Sequence, residues 1–198
     1  MKELLILTGP PGTGKSSFIK DNNLKFHTIS LDAFRALFRG ISYTKEGNRS
    51  FSQSNSSNEL ILAYKRAIET RMDLGQFIVI DATNLDPKDY TYFLKLSRIH
   101  GFTTYYKEFK LTIEDSYRNT STRGVNYVPK DSIIKMYKKQ ESLKIPSGIK
   151  ELTSLRDLKT FNTPEIYSYK DRDIYIVGDI HGCYNELMEF VNKVYNKY

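Results

Sequence analysis

One cysteine, three histidines and no long apolar run set the first limits on this 198-residue chain. A lone thiol, Cys183, cannot form an internal disulfide, and it gives no reason to invoke an oxidising compartment. No stretch approaches the ~20 consecutive apolar residues of a membrane-spanning helix. The opening "MKELLILTGPPG" breaks at Gly and Pro before it reaches the apolar length of a signal sequence, and it lacks a cleavage site. The expectation is a cytoplasmic protein with no membrane partner.

What is present is ordinary for a globular chain: 39% hydrophobic and 27% charged residues, with length for one full domain and a little more. The net charge of +7 points to an anionic partner, nucleic acid or nucleotide first. Six lysines between Lys130 and Lys150 contribute to it, and they read equally well as a solvated helix face. Fifteen Tyr and 11 Phe permit stacking on bases, although most such rings belong to cores. The sequence leaves a homo-oligomer open.

Apolar runs alternate with amphipathic stretches, the pattern of βαβ units and a mainly parallel sheet flanked by helices. The expected strands are "ELLILT" (3–8), "FHTISL" (26–31), "QFIVID" (76–81) and "TTYYKEFKL" (103–111). A helix follows the first strand from Lys15, and "DAFRALF" follows the second. Leu60, Ala63, Tyr64, Ala67, Ile68 and Met72 recur at helical spacing in 59–75, with Gly75 as the stop. Asp86 and Pro87 suit the N-cap and first position of another helix, over 87–101. Two further helices flank "GVNYVP" (124–129) and form a helical lid over 112–145. The Ser-, Asn- and Gly-rich tract 40–58 reads as a loop, and 146–170 has no period and reads as a linker. A new strand, "RDIYIVGD" (172–179), and the helix "CYNELMEFVNKVY" (183–195) come after it.

The first strand runs directly into Gly9-Pro-Pro-Gly12-Thr13-Gly14-Lys15-Ser16, a full G-x-x-x-x-G-K-[ST] pattern that opens a helix. Its glycines let backbone N–H groups turn toward phosphate oxygens, with Thr13 and Ser17 alongside. Lys15 would reach the β- and γ-phosphates, and the Ser16 hydroxyl would hold Mg²⁺. A glycine-rich structural turn is the competing reading. ATP and Mg²⁺ are the cofactors expected, in a P-loop NTPase of adenylate-kinase-like α/β architecture.

Right-handed crossovers bring the C-terminal ends of parallel strands to one side of the sheet, where ligands bind. The second strand delivers Asp32 there, a candidate base for a hydroxyl acceptor or else a helix cap. Arg35, one turn on, would grip an anionic group or simply face solvent. The third strand ends in Asp81, which suits Mg²⁺ support or a turn fastened by Thr83 or Asn84. Arg118 and Arg123 offer cations to a transferring phosphoryl group from the lid. Five residues apart, they share a helical face poorly, so Gly124 would end the helix and let Arg123 swing in by itself.

Together these pieces resemble the 5′-hydroxyl polynucleotide kinases of phage and bacterial end-repair systems. The matching motifs are "GPPGTGKSS", "ISLDAFRALF", "IVIDATNL" and "YRNTSTRGVNYVPKDSIIKMYK", in family order over roughly residues 4 to 140. The resemblance implies ATP and Mg²⁺ on Lys15 and Ser16, Asp32 as general base on the 5′-OH, and Arg35 on the acceptor's terminal phosphate. It also implies Arg123 and Arg118 as lid contacts to the donor, and it places Asp81 in a family motif. One departure is the interval from Arg118 to Arg123, a residue longer than in the phage enzyme. The partners implied are nucleic acid 5′-OH ends, for a kinase domain over 1–145.

The segment "GDIHGCYNEL" (178–187) is similar to the opening turn of a metallophosphoesterase, the domain that follows the kinase in bacterial systems. A two-metal site needs several Asp, Asn and His ligands from successive loops. The chain has only His27, His100 and His181, so Asp179 and His181 read as the first ligands of an incomplete domain over 171–198, inactive as a phosphatase. Asp179 could also cap the helix that follows. Two other functions compete with the polynucleotide kinase. One is a P-loop kinase of a small metabolite or nucleoside, the other an ATP-gated nucleic-acid-binding module without catalysis.

Overall fold

β1 (Glu3–Thr8) is buried along its whole length, which is why it is a run and not an alternation of apolar residues: both of its faces need cover. In this computed structural model, which describes residues 2–39, 41–43, 49–51, 57–121, 128–161 and 184–195, β1 is the middle strand of five. The order is β2 (Thr28–Ser30), β5 (Ile78–Asp81), β1, β6 (Thr103–Glu108), β7 (Lys150–Glu151), with every neighbouring pair parallel. Leu4, Ile6, Ile78 and Ile80 pack with α3 (Ser57–Asp73) and α4 (Pro87–His100), meeting Tyr64, Ile68, Met72, Tyr90 and Phe93. Leu5, Leu7 and Val79 cluster instead with Ile19 of α1 (Lys15–Asp21), Leu24, Leu152 and Leu158. The two clusters sandwich the sheet, as expected from the sequence.

The helices begin and end where local chemistry directs. Asp86 accepts the Lys88 N–H at 2.9 Å and Pro87 takes the first position of α4, as the sequence suggested. α2 (Leu31–Arg39), α5 (Ile113–Ser121) and α6 (Lys130–Glu141) complete the set around the sheet. Among the described residues, no helix is long and apolar enough to cross a membrane.

Two expectations need correction. The tract 40–58 contains a short antiparallel pair, β3 (Ile41–Tyr43) and β4 (Arg49–Phe51), with Ile41 opposite Phe51. Its abundant Ser, Asn and Gly mask two three-residue segments: Ile-Ser-Tyr alternates as a strand does, whereas Arg-Ser-Phe does not and gives no such signal. The stretch expected to be a linker from 146 is, as far as 161, part of the packed body. β7 sits there beside β6, and Ile149, Leu152 and Leu158 are buried. Ser154 and Asp157 form a capping box on a 3-10 turn. Glu3 accepts the N–H groups of Lys159 and Thr160, each at 2.9 Å, and the Thr160 hydroxyl at 2.6 Å. These anchors lie far away in sequence, 157 residues in the case of Thr160, so they leave no local period to read. The first compact unit accordingly spans Met1–Asn162 and the second Thr163–Tyr198.

In the second unit the described element is α7 (Tyr184–Tyr195), where Lys193 pairs with Glu189 at 2.8 Å. Asp179, His181 and the strand expected at 172–179 lie outside the described residues.

Candidate active site

The loop between β1 and α1 is held by its carbonyls. Lys15 Nζ donates to Gly9 O at 2.6 Å and to Pro10 O at 2.7 Å, and Thr13 Oγ1 also donates to Pro10 O at 2.8 Å. Ser116 Oγ donates to Pro11 O at 2.6 Å, and Asn119 Nδ2 to Gly12 O at 2.9 Å. The Gly9 N–H donates outward, to Thr83 O at 3.0 Å. Pro10 and Pro11 have no N–H to satisfy. The glycines are needed for close approach. A Cβ on Gly9 would stand 2.5 Å from Phe109 O and one on Gly12 2.4 Å from Ser116 O, and both residues have positive φ. The buried Lys15 ammonium uses the loop's own carbonyls, a partnership that phosphate oxygens can replace.

The ends of β2 and β5 bring the next groups to the same edge. Ser30 and Asp81 are paired in register, and Asp81 is also opposite Leu7 of β1, just before the loop. Burial pushes the Asp81 carboxyl above its ordinary value; Lys15 and a hydrogen bond from Ser30 pull it down, and Asp32 pushes it up again. Asp81 thus senses both the loop lysine and the candidate base. Asp32 is one residue inside α2, not in the cap position before it, and its Oδ1 accepts from Arg35 Nη1 at 2.5 Å. The cap alternative for Asp32 therefore lacks its geometry.

Other sequence expectations divide. Ser16 and Ser17 are exposed in the first turn of α1. Arg118 points away from the loop, paired with Asp115 on the solvent side of α5; the residues of α5 at the loop are Ser116, Asn119 and Thr120. Arg123 lies outside the described residues. Asn84 does not fasten Asp81; its Nδ2 donates to Leu7 O at 2.7 Å, and its φ of 48° turns the chain after β5 back against β1. Sequence reasoning missed this role for Asn84, as it did the loop contacts of Ser116 and Asn119, because each is long-range and no spacing signals it.

The residues fit a magnesium nucleotide. Among the described residues no three His, Cys, Asp or Glu side chains gather into a protein-only metal cage. Mg²⁺ asks for less, namely one carboxylate or hydroxyl plus phosphate oxygens and water, and Asp81 and Ser16 are that kind of donor set. Asp81, a carboxyl raised by burial, is a group that a cation would relieve.

Sheet order and loop together define a P-loop kinase fold, a class whose members bind ATP or a related nucleotide with Mg²⁺. A family model described as an AAA domain matches residues 4–143, and the chain belongs to that family. Among solved structures, a candidate kinase from Chloroflexus aurantiacus J-10-fl is 18% identical with a TM-score of 0.55, over 79% of this chain and 90% of its own. The tunicamycin resistance protein of Deinococcus radiodurans is 10% identical with a TM-score of 0.50, over 77% and 86%. A chain of a Pnkp1/Rnl/Hen1 complex is 21% identical over 58% of this chain and 38% of its own, with a TM-score of 0.44, too loose a match to bear on substrate. The first two likenesses concern the fold alone.

Proposed function

We propose that this chain transfers the γ-phosphoryl group of ATP to 5′-OH ends of DNA or RNA. The observation that supports the reading most is the strand register at one sheet edge: Asp81 lies between Leu7, two residues before Gly9 of the Lys15 loop, and Ser30, two residues before Asp32. A donor-phosphate lysine and an acceptor-side carboxylate then share one edge of the sheet, as in-line transfer requires.

Lys15 would leave the Gly9 and Pro10 carbonyls for the donor's β- and γ-oxygens. Asp32 accepts the proton of the 5′-hydroxyl as that oxygen attacks the γ-phosphorus. The bond from phosphorus to the β,γ-bridging oxygen breaks, and ADP leaves with the electron pair. Arg35 exchanges its bond to Asp32 for a phosphate of the acceptor's terminal nucleotide, which frees the carboxylate for the hydroxyl. Arg123 would supply a cation to the donor phosphates; Arg118, paired with Asp115 on the solvent side of α5, is left out of this role. Mg²⁺ on Ser16 and Asp81 would neutralise the charge shared by the β- and γ-phosphates. The net charge of +7 favours a polyanionic acceptor over a small neutral one.

The test is transfer from γ-labelled ATP with Mg²⁺ to a 5′-OH oligonucleotide, a nucleoside 3′-phosphate, a free nucleoside and a sugar in parallel. The oligonucleotide is expected to be labelled best. Labelling of the nucleoside or sugar alone would make the chain a metabolite kinase, and binding of ATP and oligonucleotide without transfer would make it a binding module.

A further inference from the structure

Two anchors of the phosphate loop come from a helix more than a hundred residues away in sequence. Ser116 and Asn119 stand three apart on α5, so they share a face, and they hold the carbonyls of Pro11 and Gly12 at 2.6 and 2.9 Å. Gly12 lets that face come close, since a Cβ there would meet the Ser116 carbonyl at 2.4 Å. Thr120, the next residue on the face, is fully buried against the same glycine. Arg118 occupies the solvent side of the helix with Asp115. The structure has no cis peptide among its described residues. In a trans peptide the C=O and the following N–H point in opposite directions within one rigid plane. Holding Pro11 O therefore orients the Gly12 N–H, and holding Gly12 O orients the Thr13 N–H.

We propose that Asn119 and Ser116 are positioning residues for the nucleotide. By drawing two loop carbonyls toward α5 they turn the N–H groups of Gly12 and Thr13 to the opposite side, where a phosphate is received. The same bonds join the loop to α5, so filling the loop and steadying this helix become linked. Neither side chain needs to touch the nucleotide. The proposal rests on the nucleotide site of the kinase reading and deepens it.

The experiment measures binding of fluorescently labelled ADP to the full chain, with kinetics on ATP and on a 5′-OH oligonucleotide. Asn119→Ala removes one donor and is expected to weaken ADP binding about five- to tenfold, the effect of one lost hydrogen bond. Asn119→Asp keeps the shape but sets a carboxylate against the Gly12 carbonyl, and it is expected to be weaker still. In both variants KM for ATP rises while KM for the oligonucleotide stays put, a split that general loosening of the fold would not produce. Hydrogen exchange supplies a second readout: ADP should slow exchange along α5 in the parent chain and much less in the variants. Asn119 is exposed, so its variants should fold even if Ser116→Ala does not. Asn119→Asp binding ADP as the parent does, or raising both KM values together, would overturn the proposal and leave the kinase reading standing. A parent chain that binds no nucleotide would overturn both.

Discussion

Arg35 Nη1 lies 2.5 Å from Asp32 Oδ1, one turn apart at the start of α2, and the two side chains remain 41% and 57% exposed. An exposed pair of this kind adds little to stability, roughly 0.5 kcal/mol. On the proposed reading, the pair is two groups waiting for an acceptor. Asp32→Asn should lower kcat for phosphoryl transfer by about 10²-fold or more, the usual worth of a positioned base. Its thermal midpoint should stay within a few degrees of the parent's. A variant that keeps its turnover would show that Asp32 takes no proton.

Arg35→Ala separates binding from chemistry. It removes the cation assigned to the acceptor's terminal phosphate but leaves the base. KM should therefore rise for an oligonucleotide or a nucleoside 3′-phosphate, by about tenfold for one lost charge-assisted bond. A nucleoside without phosphate, however poorly used, should be unaffected. Equal losses on both acceptors would mean that Arg35 serves only to orient Asp32.

Asp81 should make stability depend on pH. Burial raises its carboxyl above the ordinary 3.8 of an aspartate, so the folded chain holds that proton more tightly than the unfolded chain does. Its contribution to stability is then full at pH values below 3.8 and is lost as the pH climbs through the raised value. At neutral pH the ionised form is a burden on the free protein. Asp81→Asn should raise the thermal midpoint at pH 7, and the gap to the parent should narrow as the pH falls toward 4. MgATP should stabilise the parent more than the variant, because the cation relieves only the carboxylate. A midpoint lowered at pH 7 by this substitution would contradict the assignment.

Much of the frame was legible because its causes are local. The phosphate loop is eight consecutive residues between a strand and a helix, and β1 and β5 are apolar runs because both faces of each are covered. Leu60, Tyr64, Ile68 and Met72, read as one face of α3, are buried together. What stayed hidden depends on contacts distant in sequence. Asn84 serves the β1 carbonyl of Leu7, 77 residues back, and Ser116 and Asn119 serve a loop more than a hundred residues back. Glu3, buried at the head of a strand that is apolar from Leu4 to Leu7, looks misplaced until residues 159 and 160 arrive to satisfy its carboxylate.

The docking of residues 149–161 makes a prediction about chain length. Ending the chain at 145, where the sequence suggested a boundary, would strip Ile149, Leu152 and Leu158 from the core and leave Glu3 without its donors. Each apolar side chain is worth about 2 kcal/mol when buried. A chain of residues 1–145 should therefore be less stable than one of 1–162 by roughly 5 kcal/mol or more in urea unfolding, if it folds at all. Glu3→Ala in the longer chain should lose part of that, roughly 3 kcal/mol, and should speed proteolysis after residue 149. Equal urea midpoints for the two lengths would mean that the segment only rests on the surface.

Tyr64 offers the sharpest contrast between stability and function. It is buried under Phe34, whose ring meets it edge-on with centroids 5.5 Å apart, and its hydroxyl has no hydrogen-bond partner among the described residues. Burial drives the phenol's pKa far up, with Asp81 and Asp89 adding to the rise and Arg35 opposing it, so the hydroxyl stays neutral throughout the working range. A buried hydroxyl without a partner is a liability of about 1 kcal/mol or more. Tyr64→Phe, which removes only that oxygen, should leave the fold intact and raise the thermal midpoint slightly. Because Tyr64 feels both Arg35 and Asp81, the kinetics of the same variant reveal whether the hydroxyl has a use. A stabilised enzyme with unchanged KM for the oligonucleotide would make the oxygen an unpaid remnant of packing, whereas a stabilised enzyme with a raised KM would make it a donor held in reserve for the acceptor. A destabilised Tyr64→Phe would contradict the absence of a partner, and urea unfolding of the two proteins side by side decides it.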